Sequence, residues 1–131
     1  MKLITKHTDY AVRALAHLSS RKKGFTSSDE IAHIEKIPAS FLRRIINVLK
    51  KEGLLDSKEG KSGGVRLIVR PRDIRIIYLI KIFQGGIMLT ECKFRKDACP
   101  NRSGCKLRKR VLQAEKRLVQ DIKRIKLSDL L

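Results

Sequence analysis

The chain has 131 residues, the usual size of one domain with room for a helical appendage. Its 31 Lys and Arg against 13 Asp and Glu give a formal charge of +18, while a hydrophobic fraction of 42% supplies a core and argues against wholesale disorder. Such a self-repelling surface points to a polyanionic partner, nucleic acid above all.

Two blander readings of the charge are a merely soluble lysine-rich protein and an anionic-membrane binder. The second is weakened because no basic amphipathic end or lipidation signal stands out. No apolar run approaches the ~20 residues that span a bilayer. Lys6, Asp9 and Arg13 interrupt the start, which is therefore not read as a signal peptide. The expectation is a cytoplasmic chain with reduced thiols and no membrane partner.

In chain order, Tyr10, Ala11, Ala14, Leu15 and Leu18 recur at helical spacing and predict a helix from Thr5 to Ser19. "RKKG" ends it, with Gly24 the expected C-cap residue. Ser27 and Glu30 stand at capping-box spacing and open a second helix running to about Glu35. Pro38 suits the first turn of a third helix. Its apolar stripe is Phe41, Leu42, Ile45, Ile46 and Leu49, with Phe41 and Leu42 assigned to the core and Gly53 to the end. Two short helices joined this tightly read as a helix-turn-helix, with Ser40, Arg43, Arg44 and Asn47 on the outer face of the second.

The period then changes. Leu54 to Ser57 and Val65 to Val69 predict short strands, and Gly60, Gly63 and Gly64 supply the permissive backbone of a hairpin tip. A basic hairpin after a helix-turn-helix is the order of a winged helix. Another helix is expected after Pro71, closed at Gly85 and Gly86. Leu107, Val111, Ala114, Leu118, Ile122 and Ile125 then form one stripe on a long charged helix. A twin subunit is the natural cover for that stripe. The fold class expected is mainly α with a small β-hairpin wing: a winged helix-turn-helix over 1–84, a cysteine loop over 85–105, and a dimerisation helix and tail over 106–131.

The candidate DNA contacts are Ser28, Ser40, Arg43, Arg44, Asn47, Lys58, Lys61 and Ser62. Arg pairs bidentately with guanine in the major groove, whereas Ser and Lys more often hold phosphates. Any exposed helix has a solvated polar face, so the assignment rests on the helix-turn-helix and wing context. Double glycine alone is a weak signal, because a plain hairpin needs it too.

Cys92, Cys99 and Cys105 lie within "CKFRKDACPNRSGC" and are the only cysteines. A zinc ribbon has paired C-x2-C knuckles and a nearby fourth ligand, which this C-x6-C-x5-C spacing lacks. The loose, turn-rich loop suits an iron–sulfur cluster, although soft thiolates also fit zinc or copper(I). Lys93, Arg95, Lys96, Arg102 and Lys106 surround the thiols with positive charge, which favours metal-binding thiolates. Metal-free thiol redox chemistry and three incidental cysteines are the alternatives. His7, His17 and His33 all lie in the N-terminal half. No paired carboxylates, Ser/His/Asp arrangement or P-loop is found, so an enzyme is not expected.

The chain resembles the IscR/NsrR-type (Rrf-two) family of bacterial winged-helix regulators through "MKLITKHTDYAVRAL", "IPASFLRRIINVLKKEGLLDSKEGKSGGVRL", "RPRDI" and "CPNRSGCKLR". That resemblance implies a dimeric repressor at a palindromic operator in double-stranded DNA, with a [2Fe–2S] or [4Fe–4S] cluster setting its affinity. By position it makes Cys92, Cys99 and Cys105 cluster ligands. It also places Asp9 where NsrR-like members ligate the partner subunit's cluster. The histidine that IscR-like members carry after the third cysteine is absent, Arg108 standing in that region, which tilts the reading to the nitric-oxide-sensing branch. There are also departures: the first cysteine spacing is one residue longer than usual, Glu59 stands where the wing often carries Arg, and Val65 replaces a usual aromatic. The rivals are a cluster-free or zinc-bound regulator of the same fold, and a basic RNA-binding or nucleoid structural protein.

Overall fold

Side-chain capping starts the first two helices, at Ser27 as the residue order predicts and at Thr5, one residue before the helix. The Thr5 hydroxyl accepts from the Thr8 amide at 3.4 Å and opens α1 (Lys6–Ser20). The Ser27 hydroxyl accepts from the Glu30 amide at 3.1 Å and opens α2 (Ser28–Glu35). The rest of the order is α3 (Ala39–Lys51), β1 (Leu55–Lys58), β2 (Gly64–Leu67), a 3-10 turn at Pro71–Asp73, α4 (Ile76–Gln84), α5 (Lys106–Ile122) and a 3-10 turn at Leu127–Leu130. This computed structural model describes residues 3–21, 24–90 and 103–131. The chain is mainly α with a two-stranded antiparallel wing.

α1 lies at the centre and packs against α2, α3, α4, β2 and the C-terminal turn. Its inner face is Thr8, Ala11, Ala14, Leu15 and Leu18. Thr8 is a fully buried hydroxyl, and it is satisfied by donating to Gln84 Oε1 at 2.8 Å. The same Gln84 amide donates to the Leu3 carbonyl at 2.8 Å, so one side chain joins the start of α1 to the end of α4. Lys36, the only described non-glycine residue at positive φ (55°), makes the sharp turn from α2 towards α3. Leu42, Ile45, Ile46 and Leu49 of α3 complete the core with Ile31, Ile74, Leu79 and Ile80.

Several boundaries depart from the sequence expectation. α1 ends at Arg21 in extended backbone, and Gly24 (φ 83°) sits beyond the helix in the connection. Pro38 precedes the first residue of α3 as its N-cap. Phe41 is 36% exposed and lies at the edge of α3 beside α1, outside the core. The strands pair Leu55 with Leu67 through Lys58 with Gly64, so Ile68 and Val69 leave the ladder.

α4 starts five residues after Pro71, because Ile74 and Arg75 stay extended to receive the C-terminal tail. Ile76 N donates to Ile125 O at 3.0 Å and Leu127 N to Ile74 O at 2.8 Å. The tail thus adds a short antiparallel bridge, Arg75 to Lys126, and drops Leu127 into the core with no exposed surface. The stripe on α5 is divided accordingly: Leu118, Val119 and Ile122 pack on the chain's own core, while Leu107 is 68% exposed. No residue of this 17-residue helix is fully buried.

The tail is therefore predicted to be a stabilising part of the domain. Leu127→Ala should cost about 2–5 kcal/mol, the usual range for a buried leucine. The cost would be read as a lowered urea midpoint with unchanged slope. An unchanged midpoint would mean that the tail is not bound in solution.

Candidate nucleic-acid interface and cysteine site

The wing is held against the helix-turn-helix by backbone contact. Thr26 N donates to Val65 O at 2.9 Å and Val65 N to Thr26 O at 2.8 Å, so the segment before α2 pairs with β2. Only glycine permits this approach at position 64, because a Cβ there would lie 2.1 Å from the Thr26 carbonyl oxygen. At Gly63 a Cβ would lie equally close, 2.1 Å, to the Lys58 carbonyl oxygen across the hairpin. The Gly-Gly pair thus does more than turn the chain: it lets the wing close on the segment leading into α2.

The closure forms a cleft of about 260 Å³ lined by Ser28, Arg43, Ile46, Asn47, Lys50, Ser57, Gly64 and Val65. Of the residues proposed from sequence, Ser28, Arg43 and Asn47 meet here, at the junction of α2, α3 and the wing. Ser57, in the middle of β1, was not foreseen, since its place depends on the strand register. Ser40 is exposed in the first turn of α3, and Lys58, Lys61 and Ser62 are exposed around the wing tip. Glu59 is also exposed at that tip.

The two arginines of α3 differ in their partners. Arg43 Nε donates to the Ala39 carbonyl at 3.4 Å, whereas Arg44 has its guanidinium 5.9 Å from the centre of the Phe41 ring. Arg66, on β2, is engaged within the chain. It stacks over Phe25 at 4.8 Å and pairs with Asp56 at 3.4 Å. At the far end of α3, the Tyr78 hydroxyl donates to Glu52 at 2.7 Å, and this hydrogen bond to a carboxylate raises the phenol pKa above its ordinary value.

Cys92 and Cys99 lie outside the described residues. Cys105 is the N-cap of α5, with its Sγ accepting from the Arg108 amide at 3.4 Å. It lines a cavity of about 500 Å³ with Ser103, Gly104, Lys106, Arg108, Lys109, Leu112, Gln113 and Lys116. A helix N-terminus among cations suits an anionic sulfur. Asp9 is exposed in the first turn of α1 and pairs with Arg13 at 3.3 Å. His17 sits in the α1–α2 seam, its Nδ1 3.3 Å from Glu35. Among the described residues, no three His, Cys, Asp or Glu side chains form a group able to hold a metal ion. No described helix is long and apolar enough to cross a membrane.

With a helix-turn-helix, a clamped wing and a cysteine at the mouth of the C-terminal helix in place, comparison with known proteins becomes decisive. Residues 4–131 match the Rrf2 family, described as iron-dependent transcriptional regulators. The chain belongs to that family. Rrf2 proteins are transcription regulators and not enzymes. The NsrR transcriptional regulator of Shouchella clausii is 32% identical over 107 residues, covering 80% of this chain and 72% of its own length. T. potens IscR superposes with a TM-score of 0.75 at 25% identity, covering 99% of this chain and 85% of its own. CymR of B. subtilis, described as its global cysteine regulator, superposes with a TM-score of 0.73 at 25% identity, covering 99% of this chain and 96% of its own.

A pair of substitutions tests the wing clamp. Gly53 (φ 77°) and Gly64 (φ 142°) both disfavour an L side chain, but a Cβ at Gly53 meets nothing within 4 Å. Gly53→Ala should cost about 1 kcal/mol from backbone strain. Gly64→Ala should cost upwards of about 2 kcal/mol, because the wing must also move off Thr26. Equal losses in urea denaturation would show that the two segments are not held together in solution.

Proposed function

We propose that this Rrf2 regulator is a homodimeric repressor that reads a palindromic operator in double-stranded DNA, with α3 in the major groove and the wing on the backbone or minor groove. The observation that carries the reading is the cleft where Ser28, Arg43, Asn47 and Lys50 meet the wing. In this reading Arg43 and Arg44 serve base edges, Asn47 reads or positions, and Ser28, Ser40, Lys58, Lys61 and Ser62 hold phosphates. The region 1–84 is the DNA-binding module, 85–105 the cysteine loop, and 106–131 the dimerisation helix with its tail.

The partly uncovered face of α5 around Leu107, Val111 and Ala114 is the surface assigned to the second subunit. Leu118 supports the chain's own core, so a charge placed there would confuse folding with assembly. Leu107→Glu combined with Val111→Glu should give monomers by light scattering, with weak DNA binding. A dimer of normal affinity would place the interface elsewhere.

For the sensor, the proposed ligands are Cys92, Cys99 and Cys105, completed by Asp9 of the partner subunit. The described donor is suited to the group: Cys105 is a soft ligand at a helix N-terminus, facing a basic cavity. A bound [2Fe–2S] or [4Fe–4S] cluster would supply a redox-active, nitric-oxide-reactive centre. For Asp9 to serve, its carboxylate must share or release Arg13. The second reading is a cluster-free or zinc-bound regulator of the same fold.

The deciding experiment is anaerobic purification with iron and sulfide assays, an absorbance spectrum and duplex binding before and after cluster loss. Cys99→Ala should lose the cluster and its control of DNA affinity. An unchanged spectrum in Asp9→Ala would remove that ligand and keep the sensor, while full regulation without iron would favour the cluster-free or zinc-bound reading. On the DNA side, Arg43→Ala should cost about 1–3 kcal/mol and relax preference at one base position. Lys61→Ala should weaken all sequences alike and reduce the salt slope by about one. Full operator affinity in the Arg43→Ala, Arg44→Ala double variant would displace α3 from the groove.

A further inference from the structure

Phe41 is the one aromatic residue of α3, and it stands partly exposed in the first turn of the helix assigned to the major groove. Its ring lies 5.3 Å from the His7 ring and 6.4 Å from Tyr10, both on α1. These are the tilted and edge-on geometries in which aromatic quadrupoles attract. The Arg44 guanidinium also lies over the ring, 5.9 Å from its centre. Phe41 and Arg44 are three residues apart and so neighbours on the helix surface. Among the described residues Arg44 forms no ion pair, so this ring contact is the restraint recorded for its charged end.

We propose that Phe41, braced by His7 and Tyr10, is a positioning residue that holds Arg44 for base reading, and so helps to set sequence preference through that arginine. The inference rests on the DNA-binding reading above. An exposed arginine has many rotamers to lose when it docks on a base edge. A ring face that attracts the guanidinium narrows them beforehand, so less freedom is lost on binding. Arg43 is restrained differently, by its bond to the Ala39 carbonyl, so the ring should matter to one arginine and not to the other.

The test uses the full chain, purified anaerobically, and a randomised duplex DNA library from which a preferred site is selected. Every single base-pair change in that site is then measured. Arg44→Ala should flatten the preference at one position. Phe41→Leu, which keeps apolar bulk and removes the ring, should reduce preference at the same position by about two- to fivefold. Phe41→Tyr should restore it. In an Arg44→Ala background, Phe41→Leu should add nothing. His7→Ala, which removes one exposed brace and leaves the core intact, should give a smaller loss at that position. Additive effects of Phe41→Leu and Arg44→Ala, an equal loss at every position, or no loss with either Phe41→Leu or His7→Ala overturns the platform alone. A wild-type chain that selects no duplex sequence overturns the DNA reading, and the platform with it.

Discussion

Two alanines in the middle of α1 set the spacing of the whole module. Ala11 and Ala14 have no exposed surface, and with side chains this small α2, α3 and α4 can all approach one helix closely. A larger residue at either position would push at least one of those helices outward, since a packed core has no room to spare. Rotation of α1 is fixed at its start by Thr8 and Gln84, a buried pair whose loss would leave a polar group without a partner. With the inner face so determined, the outer residues follow: Asp9 and Arg13 face solvent, and Tyr10 and His7 meet Phe41. One helix therefore carries the proposed partner-cluster ligand and the brace of the recognition helix.

The second half of the surface is set by backbone contact together with side-chain packing. Thr26, Gly64 and Val65 tie the entry to α2 to the wing, and Leu55 and Val65 anchor the two strands in the core. That anchoring limits how an effector could act on such a regulator. In the dimer proposed above, reshaping one half-site would be costly, whereas changing the separation of the two would not, because a dimer reads paired sites at a fixed spacing.

Much of this order was legible where a local rule decides the outcome. Ser27 stands where a hydroxyl can accept from the amide three residues on. Gly53 and Gly85 stand where a helix ends at positive φ, and the alternation around Gly60 to Gly64 marks the hairpin. The elements that departed from expectation depend on distant segments. Periodicity places Phe41 on the apolar stripe of α3, but that stripe is wider than the surface α1 covers, so Phe41 ends at its rim. The delayed start of α4 needs the tail at Ile125 to Leu127, half the chain away, to occupy the backbone of Ile74 and Ile76. Of the candidate site, the cleft residues on α2 and α3 were readable from helix faces. Ser57 and the engagement of Arg66 were not, because both depend on strand register and on what lies across it.

Charge sorting connects the fold to the face it presents. Several acids are matched to nearby cations: Asp9 to Arg13, Glu35 to Arg13 and His17, Glu30 to Arg21, Asp56 to Arg66, and Asp73 to Arg70. Exposed pairs of this kind contribute little stability individually, typically about 0–1 kcal/mol. Arg43, Arg44, Lys50, Lys58 and Lys61, on α3 or around the wing, take no part in these pairs, and neither do the cations of α5. With a formal charge of +18, the cations left over from internal pairing must be neutralised from outside. A phosphate backbone does that by releasing its own counterions, which gives association a strong salt dependence before any base is read. In the proposed reading, sequence preference is left to the few side chains whose geometry is restrained, Arg43 by the Ala39 carbonyl and Arg44 by the Phe41 ring.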